Sequence, residues 1–367
     1  MKVLHVIPSV ELGGAERLLV ELARGQLSRG DDVTVASSGG RLEQDLQSVG
    51  ARTIRIPLRE RSMLTTVRAS AALARRSLRP DVVHSHNVRA AVAAKLGVSR
   101  PGSGIPHVVT VHGISHGDSR LSVSLLSVVA DAVVAVAEAE ARQLRSTGLR
   151  IPVRVIANAV SPPTSRDRTE SRRRLDIDPD VPVALCIARL APLKRHDLLL
   201  DAWSRLPAPT TLLCAGEGSL IHALEQQAAR LGMSDRVRFL GPRADIDWLL
   251  AASDLVTLAS DREGLPMSVI EAMTAGVPVV ATRVGGLAEI VVPGAGLLVP
   301  PGDATALAGA LSVMLSDHEW RRSASEVARS HAREQHSVDA LVASYADLYD
   351  RLRHSAGGRA GRVTTGR

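Results

Sequence analysis

The sequence predicts an α/β protein built from two doubly wound, Rossmann-like domains, each organised around a parallel sheet. Short apolar runs alternate with amphipathic stretches from Lys2 onward, and the alternation restarts after a polar, proline-marked stretch that begins at Ser161. Alternation of this kind is typical of a parallel sheet with helices on both faces. A chain of 367 residues is also long enough to bury two separate cores.

The strands are predicted from short apolar runs, because strands buried on both faces are apolar throughout. In the first half these runs are Lys2–Pro8, Asp32–Ser37, Arg52–Pro57, Asp81–Ser85, His107–Val111, Ala132–Val136 and Val153–Ile156. In the second half they are Val181–Ile187, Thr210–Ala215, Val237–Leu240, Asp254–Leu258, Val277–Ala281 and Gly296–Val299. The predicted domains are residues 1–163 and 164–337, and residues 354–367, which lack apolar periodicity, are predicted to be a disordered tail.

One strand–loop–helix unit of the second half has the features of a phosphate site. After the apolar run Asp254–Leu258, Gly264 and Pro266 mark a tight loop, and Met267–Ala275 predicts a helix that ends at Gly276. Such a unit points the free N–H groups at the start of the helix toward the carboxyl edge of the sheet. Phosphate commonly binds to these groups and to the positive end of the helix dipole.

Two glutamates flank the start of this helix. Glu263 lies in the loop, and Glu271 lies one turn inside the helix. A carboxylate repels phosphate but accepts hydrogen bonds from hydroxyls. Amides and acids together therefore suit the phosphate and the hydroxyls of a nucleotide sugar. Two solvent-exposed acids without such a role are the alternative.

The spacing of these residues resembles a family signature. Glu263 and Glu271 are separated by seven residues, and Gly264-Leu265-Pro266 follows the first of them. The pattern resembles that of the retaining glycosyltransferases of family four, which have the GT-B fold of two facing Rossmann-like domains. The resemblance implies that Glu271 holds the ribose hydroxyls of the donor and that Glu263 lies against the transferred sugar. It also assigns Gly264, Leu265 and Pro266 to the donor site.

A loop after the first strand of the second half carries Arg189 and Lys194. A guanidinium fork and an ammonium group suit a diphosphate leaving group, whereas two solvated loop cations are the alternative. The family has an arginine and a lysine at this spacing, usually with a glycine before the arginine and another after the lysine. Ala188 and Arg195 stand at those two positions here.

Four further residues are assigned to the donor and its sugar. Gly13 and Gly14 open the first helix, where glycine lets the backbone approach a ligand, although an ordinary tight turn is the alternative. His112 ends the fifth strand, and the resemblance places it against the transferred sugar. Arg243 follows the third strand of the second half, beside the expected position of the base. The predicted catalytic residues are His112, Arg189, Lys194 and Glu263.

Polar residues also follow the fourth strand. His84 and His86 lie on one face of that strand, which makes a metal site conceivable. No third ligand is close in sequence, so that neither a metal nor another cofactor is predicted. Acceptor contact is predicted for His86 and Asn87, with capping of the following helix as the alternative for Asn87.

The composition excludes one class of partner and points to another. Aromatic residues make up 2% of the chain, too few for the stacking platforms of a single-strand nucleic-acid binder. Residues 1–165 contain 21 Lys and Arg against 13 Asp and Glu, a net charge of +8, whereas the remainder has 24 against 25. An anionic partner, such as lipid headgroups or a phosphorylated acceptor, and a bias toward arginine both explain this excess. For the basic stretch Arg59–Arg79, a sheet-covering helix with a basic outer face is preferred over a membrane-surface helix.

The apolar runs, the N-terminal segment and the cysteines indicate a cytoplasmic location. No apolar run approaches the ~18–20 residues of a membrane span, and the segment Met1–Pro8 is too short for a signal peptide. Cys186 and Cys214 lie inside apolar runs and are predicted to be buried and unbridged. We therefore expect a cytoplasmic protein with peripheral contact to an anionic membrane at the inner face of the plasma membrane.

The resemblance implies a retaining glycosyltransferase whose last helix, residues 338–353, crosses back onto the N-terminal domain. The donor would be a UDP- or GDP-sugar, and the acceptor is unidentified, with a lipid-linked saccharide or a cell-envelope polysaccharide precursor as candidates. The alternatives are a GT-B sugar-nucleotide epimerase, a non-catalytic nucleotide-sugar-binding protein and a phosphorylase of the same fold. A phosphorylase needs a lysine for pyridoxal phosphate, and none of the three lysines, Lys2, Lys95 and Lys194, is so placed.

Overall fold

The computed structural model describes residues 1–60, 62–76, 78–99, 102–113 and 119–360. They form two compact units. Unit 1 contains Met1–Ala159 and the C-terminal segment that begins at Val338, and unit 2 contains Val160–Ser337. The chain enters unit 2 at Val160, whereas the sequence placed this boundary after residue 163. At this point the backbone N–H of Val160 donates to the carbonyl of His336 at 3.3 Å, which joins the first and last segments of unit 2.

Unit 1 is a parallel sheet covered by helices. Its strands are β1 Lys2–Val6, β2 Asp32–Ser37, β3 Arg52–Arg55, β4 Val82–Ser85, β5 His107–Val111, β6 Ala132–Ala135 and β7 Val153–Val155. Its helices are α1 Gly14–Ser28, α2 Glu43–Ser48, α3 Met63–Arg75, α4 Val88–Gly97, α5 Ser119–Val129, α6 Glu138–Ser146 and, from the C-terminal segment, α15 Val338–Ala360. Within the described residues the strand order is β3-β2-β1-β4-β5-β6-β7. Leu73 of α3 and Ala93 of α4 share one core cluster with Val6 and Val83.

Unit 2 repeats this architecture. Its strands are β8 Val183–Ile187, β9 Thr211–Ala215, β10 Val237–Gly241, β11 Leu255–Leu258, β12 Val279–Thr282 and β13 Gly296–Val299. Its helices are α7 Arg168–Arg174, α8 His196–Trp203, α9 Ile221–Arg230, α10 Ile246–Ala252, α11 Met267–Ala275, α12 Leu287–Ile290, α13 Ala304–Ser316 and α14 His318–Gln335. The described strands are parallel and follow the order β10-β9-β8-β11-β12-β13. The predicted α/β class with two Rossmann-like sheets is confirmed.

Two prolines explain why strands begin later than predicted. The runs Val181–Ile187 and Val277–Ala281 were expected to be strands throughout, but β8 and β12 begin directly after Pro182 and Pro278. Proline has no N–H to donate to a strand ladder. Its carbonyl can still accept, and Pro182 and Pro278 each accept a backbone hydrogen bond of 2.9 Å from the neighbouring strand segment.

The strand order places the functional candidates. In unit 1 the order reverses between β1 and β4, and in unit 2 it reverses between β8 and β11. Loops that leave two such strands turn to opposite faces of the sheet and open a crevice outside the carboxyl ends, where ligands of doubly wound proteins bind. Gly13 and His86 follow the first pair of strands, and Lys194 and Glu263 follow the second pair.

The helix α15 is held in unit 1 by two buried tyrosines. The hydroxyl of Tyr345 lies 2.9 Å from Thr110 Oγ1, and that of Tyr349 lies 2.7 Å from His84 Nδ1. Both tyrosines are 1% exposed. Buried hydroxyls need such partners, so these bonds fix the position of the helix against β4 and β5.

The same helix runs past its predicted end. It was expected to stop at Arg353, with a disordered tail from residue 354, but it continues to Ala360. The Arg351–Asp347 ion pair, at 2.8 Å, supports the turn before this extension, and within it the Ser355 hydroxyl donates to the Arg351 carbonyl at 2.9 Å. Residues 361–367 lie outside the described residues. No helix within the described ranges is both long enough and apolar enough to span a bilayer.

Replacing Gly25 tests the packing of α15 on α1. A Cβ at Gly25 would lie 2.4 Å from Val342 Cγ2, whereas a Cβ at Gly309 of α13 would meet no atom within 4 Å. We expect Gly25→Ala to lower the free energy of unfolding by about 1–2 kcal/mol, because overpacking outweighs the gain in helix propensity. Gly309→Ala should raise it by about 0.5–1 kcal/mol. Urea unfolding followed by circular dichroism measures both, and equal stabilisation by the two variants would contradict this packing.

Candidate active site

An ion pair closes the switch point of unit 2. Lys194 Nζ lies 2.5 Å from Glu263 Oε1, and the Ser260 hydroxyl donates to the same oxygen at 2.5 Å. The side chains of Lys194 and Glu263 are 19% and 7% exposed. The lysine follows β8 and the glutamate follows β11, which places the pair at the carboxyl edge where the strand order reverses. Two of the four predicted catalytic residues, Lys194 and Glu263, are therefore direct neighbours.

Glycines position the loop that carries Glu263. Gly285 has a φ of +47°, and a Cβ there would lie 1.9 Å from the carbonyl oxygen of Glu263. A Cβ at Gly286 would lie 2.0 Å from the carbonyl oxygen of Gly264, to which the Gly286 N–H donates at 2.8 Å. Only glycine permits these two approaches. The loop after β12 thus supports the glutamate loop from below through its backbone.

Arg195 stands where the family usually has glycine, and its backbone shows why. Its φ of 48° and ψ of 45° lie in the left-handed region, which costs a residue with a Cβ about 1–2 kcal/mol. The guanidinium compensates by bonding to Asp197 and to Asp261, each at 3.1 Å. Since Asp261 belongs to the loop after β11, Arg195 also ties the lysine loop to the glutamate loop.

The two predicted arginines of the donor site, Arg189 and Arg243, differ in whether their guanidinium groups form an ion pair. Arg189 is exposed in the loop after β8, and its guanidinium forms no ion pair within the described part of the chain. Arg243 donates to both carboxylate oxygens of Asp245, at 2.8 and 2.6 Å. This bond raises the pKa of Arg243 and lowers that of Asp245. Arg189 is therefore oriented toward solvent, whereas Arg243 is held at the start of α10.

Four predicted donor residues, Gly264, Leu265, Pro266 and Glu271, lie at the start of α11 or one turn inside it. Pro266 is the N-cap of this helix, and Leu265 is buried beside it. Gly264 lies against the loop after β12, and Glu271 is half-buried on the helix itself. The strand, loop and helix at 254–276 match the prediction, including the left-handed Gly276 that ends the helix with a φ of 77°.

The two cysteines are buried and unbridged, as predicted. Burial raises the pKa of the Cys186 thiol to about 12, and the ring of His196 lies 3.5 Å from its sulfur. Burial, followed by the charge of Lys194, lowers the pKa of His196 to about 4. A protonated thiol beside a neutral imidazole is not an activated nucleophile.

A cluster of buried histidines occupies the switch point of unit 1. His5 Nδ1 lies 3.0 Å from His86 Nε2, and His5 Nε2 lies 2.8 Å from Gln26 Oε1. Because an amide oxygen only accepts, His5 Nε2 carries the hydrogen and His5 Nδ1 accepts from His86. Nδ1 of His86 then carries no hydrogen and presents a lone pair. This atom is buried without a hydrogen-bond partner in the described residues.

His112 and Asn87 complete this edge. The ring of His112 is stacked on that of His86, with centroids 5.8 Å apart, and its Nε2 is likewise buried and unpartnered within the described ranges. Asn87 Oδ1 accepts from the Ala90 N–H at 2.8 Å and caps α4, which is the alternative considered for it. Gly13 is the extended N-cap of α1, and Gly14 begins that helix.

The histidine cluster is geometrically close to a metal site. His5 supplies the third ligand that the sequence lacks near His84 and His86, and one nitrogen from each lies within 4.8 Å of the others. Their nitrogens are already used, because His84 bonds to Thr110 and Tyr349 while His5 bonds to His86. All three rings are also buried, so that a metal would have to displace this network and find an access route. A hydrogen-bonded core describes them better.

Burial keeps these histidines neutral. It lowers the pKa of His5 and of His112 to about 4 and that of His84 and His86 well below the ordinary value. His107, which bonds to Ser85 and Ser99, has its pKa lowered to about 3 by the same cause. At neutral pH each ring therefore offers one N–H donor and one acceptor nitrogen.

Comparison with known proteins identifies the family. Residues 167–331 match the family described as "Glycosyl transferases group 1", and residues 12–162 match "Glycosyltransferase Family 4". The D-inositol 3-phosphate glycosyltransferase of Jonesia denitrificans is 30% identical over 311 residues, which are 75% of this chain and 73% of that protein. The chain belongs to glycosyltransferase family 4. The segment 12–162 lies in unit 1 except for its last three residues, and the segment 167–331 lies in unit 2.

Other similar proteins differ in how much of their length this chain covers. The "Lipopolysaccharide core biosynthesis glycosyltransferase LpsE" of Rhizobium meliloti is 29% identical over 350 residues, 92% of this chain and 95% of that protein. The chain spans about half the length, 52%, of two other curated relatives. Anabaena Alr3699/HepE, solved in complex with UDP-glucose, superposes with a TM-score of 0.86 at 26% identity, covering 96% of this chain and 100% of that one. The predicted GT-B fold class is confirmed by this likeness.

Sequence reasoning missed several residues of the two clusters described above. Ser260 bonds to Glu263, and Gln26 and Tyr349 bond to the histidine cluster, yet none was predicted. A histidine inside an apolar strand, as at His5, was the available indication, because a buried polar side chain requires a partner. Its partners lie on distant segments, which spacing along the chain does not reveal.

Acid is expected to destabilise unit 1 of this family 4 protein. Five histidines among the described residues of this unit have a lowered pKa and resist protonation when folded, whereas the unfolded chain takes up protons near pH 6.5. Their contribution is complete above about pH 6.5 and is lost at about 1.4 kcal/mol per pH unit and histidine as the pH falls toward 4. Urea unfolding at several pH values measures the slope.

A pair of histidine variants calibrates that slope. His107→Asn should reduce the dependence of the unfolding free energy on pH by about 1.4 kcal/mol per pH unit, the contribution of one histidine. His222→Asn should leave this dependence unchanged, since the His222 side chain is 88% exposed. A free energy of unfolding that is the same at neutral pH and at about pH 5 would contradict the neutral cluster.

Two glycine variants separate backbone strain from close approach. Gly285 and Gly302 both have positive φ, 47° and 78°, but a Cβ at Gly302 would meet no atom within 4 Å. Gly302→Ala should lower the free energy of unfolding by about 1–2 kcal/mol, the left-handed penalty alone. Gly285→Ala should lower it by clearly more, because its Cβ overlaps the Glu263 carbonyl. Thermal unfolding of the two variants tests this, and equal losses would exclude a supporting role for Gly285.

Proposed function

We propose that the chain is a retaining glycosyltransferase that moves a sugar from a UDP- or GDP-sugar to a hydroxyl of a lipid-linked saccharide or a cell-envelope polysaccharide precursor. The observation that carries this proposal is the Lys194–Glu263 pair at the switch point of unit 2, beside the exposed Arg189 and the start of α11. Family membership supports it, as does the structural likeness to an Anabaena protein that binds UDP-glucose.

The donor roles follow from charge. Arg189 and Lys194 would contact the diphosphate, because they are the predicted cations of the loop after β8 and the ammonium is already positioned by Glu263. Glu263 would lie against the sugar, and Glu271, one turn inside α11, would hold the ribose hydroxyls. Gly264, Leu265 and Pro266 would line the diphosphate end of the site with their backbone, and the loop of Arg243 would lie beside the base.

Catalysis would depend on stabilising the leaving group. Cleavage of the anomeric C–O bond leaves a nucleoside diphosphate, and fixed cations that neutralise it lower the barrier. Glu263 receives hydrogen bonds from Lys194 and from Ser260, a setting that favours a positioned hydrogen-bond acceptor over a free nucleophile. Attack on the same face, assisted by the departing phosphate, is the mechanism that fits retention without a covalent intermediate.

Unit 1 would bind the sugar and the acceptor. His112 is neutral with an unpartnered buried Nε2 among the described residues, which suits a hydrogen bond with a sugar hydroxyl. The lone pair on His86 Nδ1 suits an acceptor hydroxyl. Asn87 already uses its oxygen to cap α4, so that a contact with the acceptor falls to its amide nitrogen. Gly13 and Gly14 would leave room for the ligand at the start of α1.

The partners follow from the charge of unit 1. Its net positive charge and the relation to a lipopolysaccharide core glycosyltransferase support an anionic, membrane-associated acceptor and peripheral location at the inner face of the plasma membrane. The scarcity of aromatic residues supports the absence of a nucleic-acid partner.

Removing either donor cation should reduce transfer. We expect Arg189→Ala and Lys194→Ala each to lower the rate by about 10²–10³, by analogy with the loss of one oxyanion donor. A panel of UDP- and GDP-sugars, scored by release of free nucleoside diphosphate with a membrane extract as the acceptor source, measures the rate. Arg230→Ala, at the exposed end of α9, is the matched control and should keep full activity.

A stability check belongs to this experiment, because Lys194→Ala leaves the nearly buried Glu263 without its ion pair. The double variant Lys194→Met with Glu263→Gln removes both charges and should fold while remaining inactive. Near-wild-type rates for both single variants would show that these cations do not stabilise the leaving group.

A further inference from the structure

The outer face of α3 exposes apolar side chains. Met63, Leu64 and Val67 are 87%, 58% and 56% exposed, and their spacing places them on one side of the first two turns. We call these three residues the α3 patch. A group of neighbouring apolar side chains on a protein surface marks an interaction site far more often than isolated ones do.

The patch is not part of the core-facing side of the helix. Thr66, Ala69, Ser70 and Leu73 are the buried residues of α3, and they form the opposite stripe. An ordinary sheet-covering helix is polar on its outer face. The outer face of α3 was expected to be basic, and it is instead apolar over its first two turns with arginines alongside and beyond. The helix still covers the sheet, as the sequence favoured, because Ala69 and Leu73 pack in the core cluster that contains Val6 and Val83. The exposed apolar residues of its first two turns are an addition to the expected basic face.

Arginines surround the patch with little opposing charge. Arg68, Arg75, Arg76 and Arg79 are exposed, and within the described residues none of them pairs with a carboxylate. The stretch 59–79 contains six arginines and one acid, Glu60. Exposed apolar side chains bordered by unpaired cations are the combination by which a helix lies in the interface of an anionic bilayer.

The patch is connected to the predicted acceptor end of unit 1. Arg89, in the first turn of α4, donates through Nη2 to the Leu58 carbonyl at 2.6 Å and through Nη1 to the Glu60 carbonyl. The loop before α3 is therefore held against the helix that begins directly after His86 and Asn87. A surface that rests on a membrane through α3 would keep the carboxyl edge of β4 close to that membrane.

We propose that the α3 patch docks unit 1 on an anionic membrane and so brings a lipid-anchored acceptor to the carboxyl edge of β4. The occupant is the lipid surface itself, since the charge and the apolar exposure coincide on one helix. The acceptor half of this statement rests on the proposed function, whereas the docking does not require any catalytic activity.

Flotation with vesicles tests the docking. The full chain should bind vesicles that contain phosphatidylglycerol and should bind pure phosphatidylcholine vesicles at least about tenfold more weakly, and high salt should weaken the first interaction. The triple variant Met63→Ser, Leu64→Ser and Val67→Ser should reduce binding by about 10²-fold, because it removes the inserted apolar surface. Arg68→Gln with Arg75→Gln should reduce binding to the anionic vesicles by about tenfold.

Matched variants keep the result interpretable. Leu96→Ser and Val128→Ser replace exposed apolar residues of α4 and α5, 57% and 74% exposed, and should leave vesicle binding unchanged. All substituted side chains are exposed, so thermal unfolding should confirm an intact fold for each variant. Unchanged binding by the triple variant, or equal binding to both lipid compositions, would overturn the proposal.

The test also separates this proposal from its rivals. A concentration-dependent dimer that the triple variant abolishes, seen by light scattering with no vesicle binding, would assign the patch to a second copy of the chain and overturn membrane docking. If the wild-type protein does not bind nucleoside diphosphates, the proposed enzyme is refuted. Vesicle binding by the same protein would still support docking.

Discussion

The interaction on which the proposed site of unit 2 depends is the ion pair between Lys194 and Glu263. The two residues come from loops after β8 and β11, which diverge to opposite faces of the sheet because the strand order reverses there. Backbone contacts from Gly285 and Gly286 and the arginine bridge of Arg195 hold the loops so that the charges meet. A charge pair this poorly hydrated is stable only when its surroundings supply further hydrogen bonds, as Ser260 does.

Much of the architecture was accessible from the sequence, because inner strands such as β6 and β11 are buried along their whole length and therefore appear as short apolar runs. The unit at 254–276 was predicted from an apolar run and from its glycines and proline, and Gly276 does adopt the left-handed conformation that other residues avoid. Family resemblance placed Lys194 and Glu263, but it did not show that they contact each other. That contact depends on loop conformation, which residue spacing does not encode.

The histidine cluster shows a different limit. His5 lies on β1, and His86 follows β4 directly. These two residues meet because β1 and β4 are neighbouring strands although far apart in sequence, and Gln26 of α1 bonds to His5. Periodicity reports which face of an element is buried and is silent about which distant residue completes a hydrogen bond. Arg195 was likewise recognised as a departure from the family, while its left-handed backbone and its two aspartate partners became visible only in three dimensions.

The tyrosines of α15 bear on how the chain is made. Unit 2 is one continuous stretch, whereas unit 1 takes its last helix from beyond residue 337. When a ribosome has synthesised residues 1–337, every described strand of unit 1 exists, but Tyr345 and Tyr349 do not. His84 therefore cannot yet form its hydrogen bond with Tyr349. The sheet of unit 1 therefore stays incompletely covered while unit 2 is translated. During that interval its exposed apolar surface is available to chaperones.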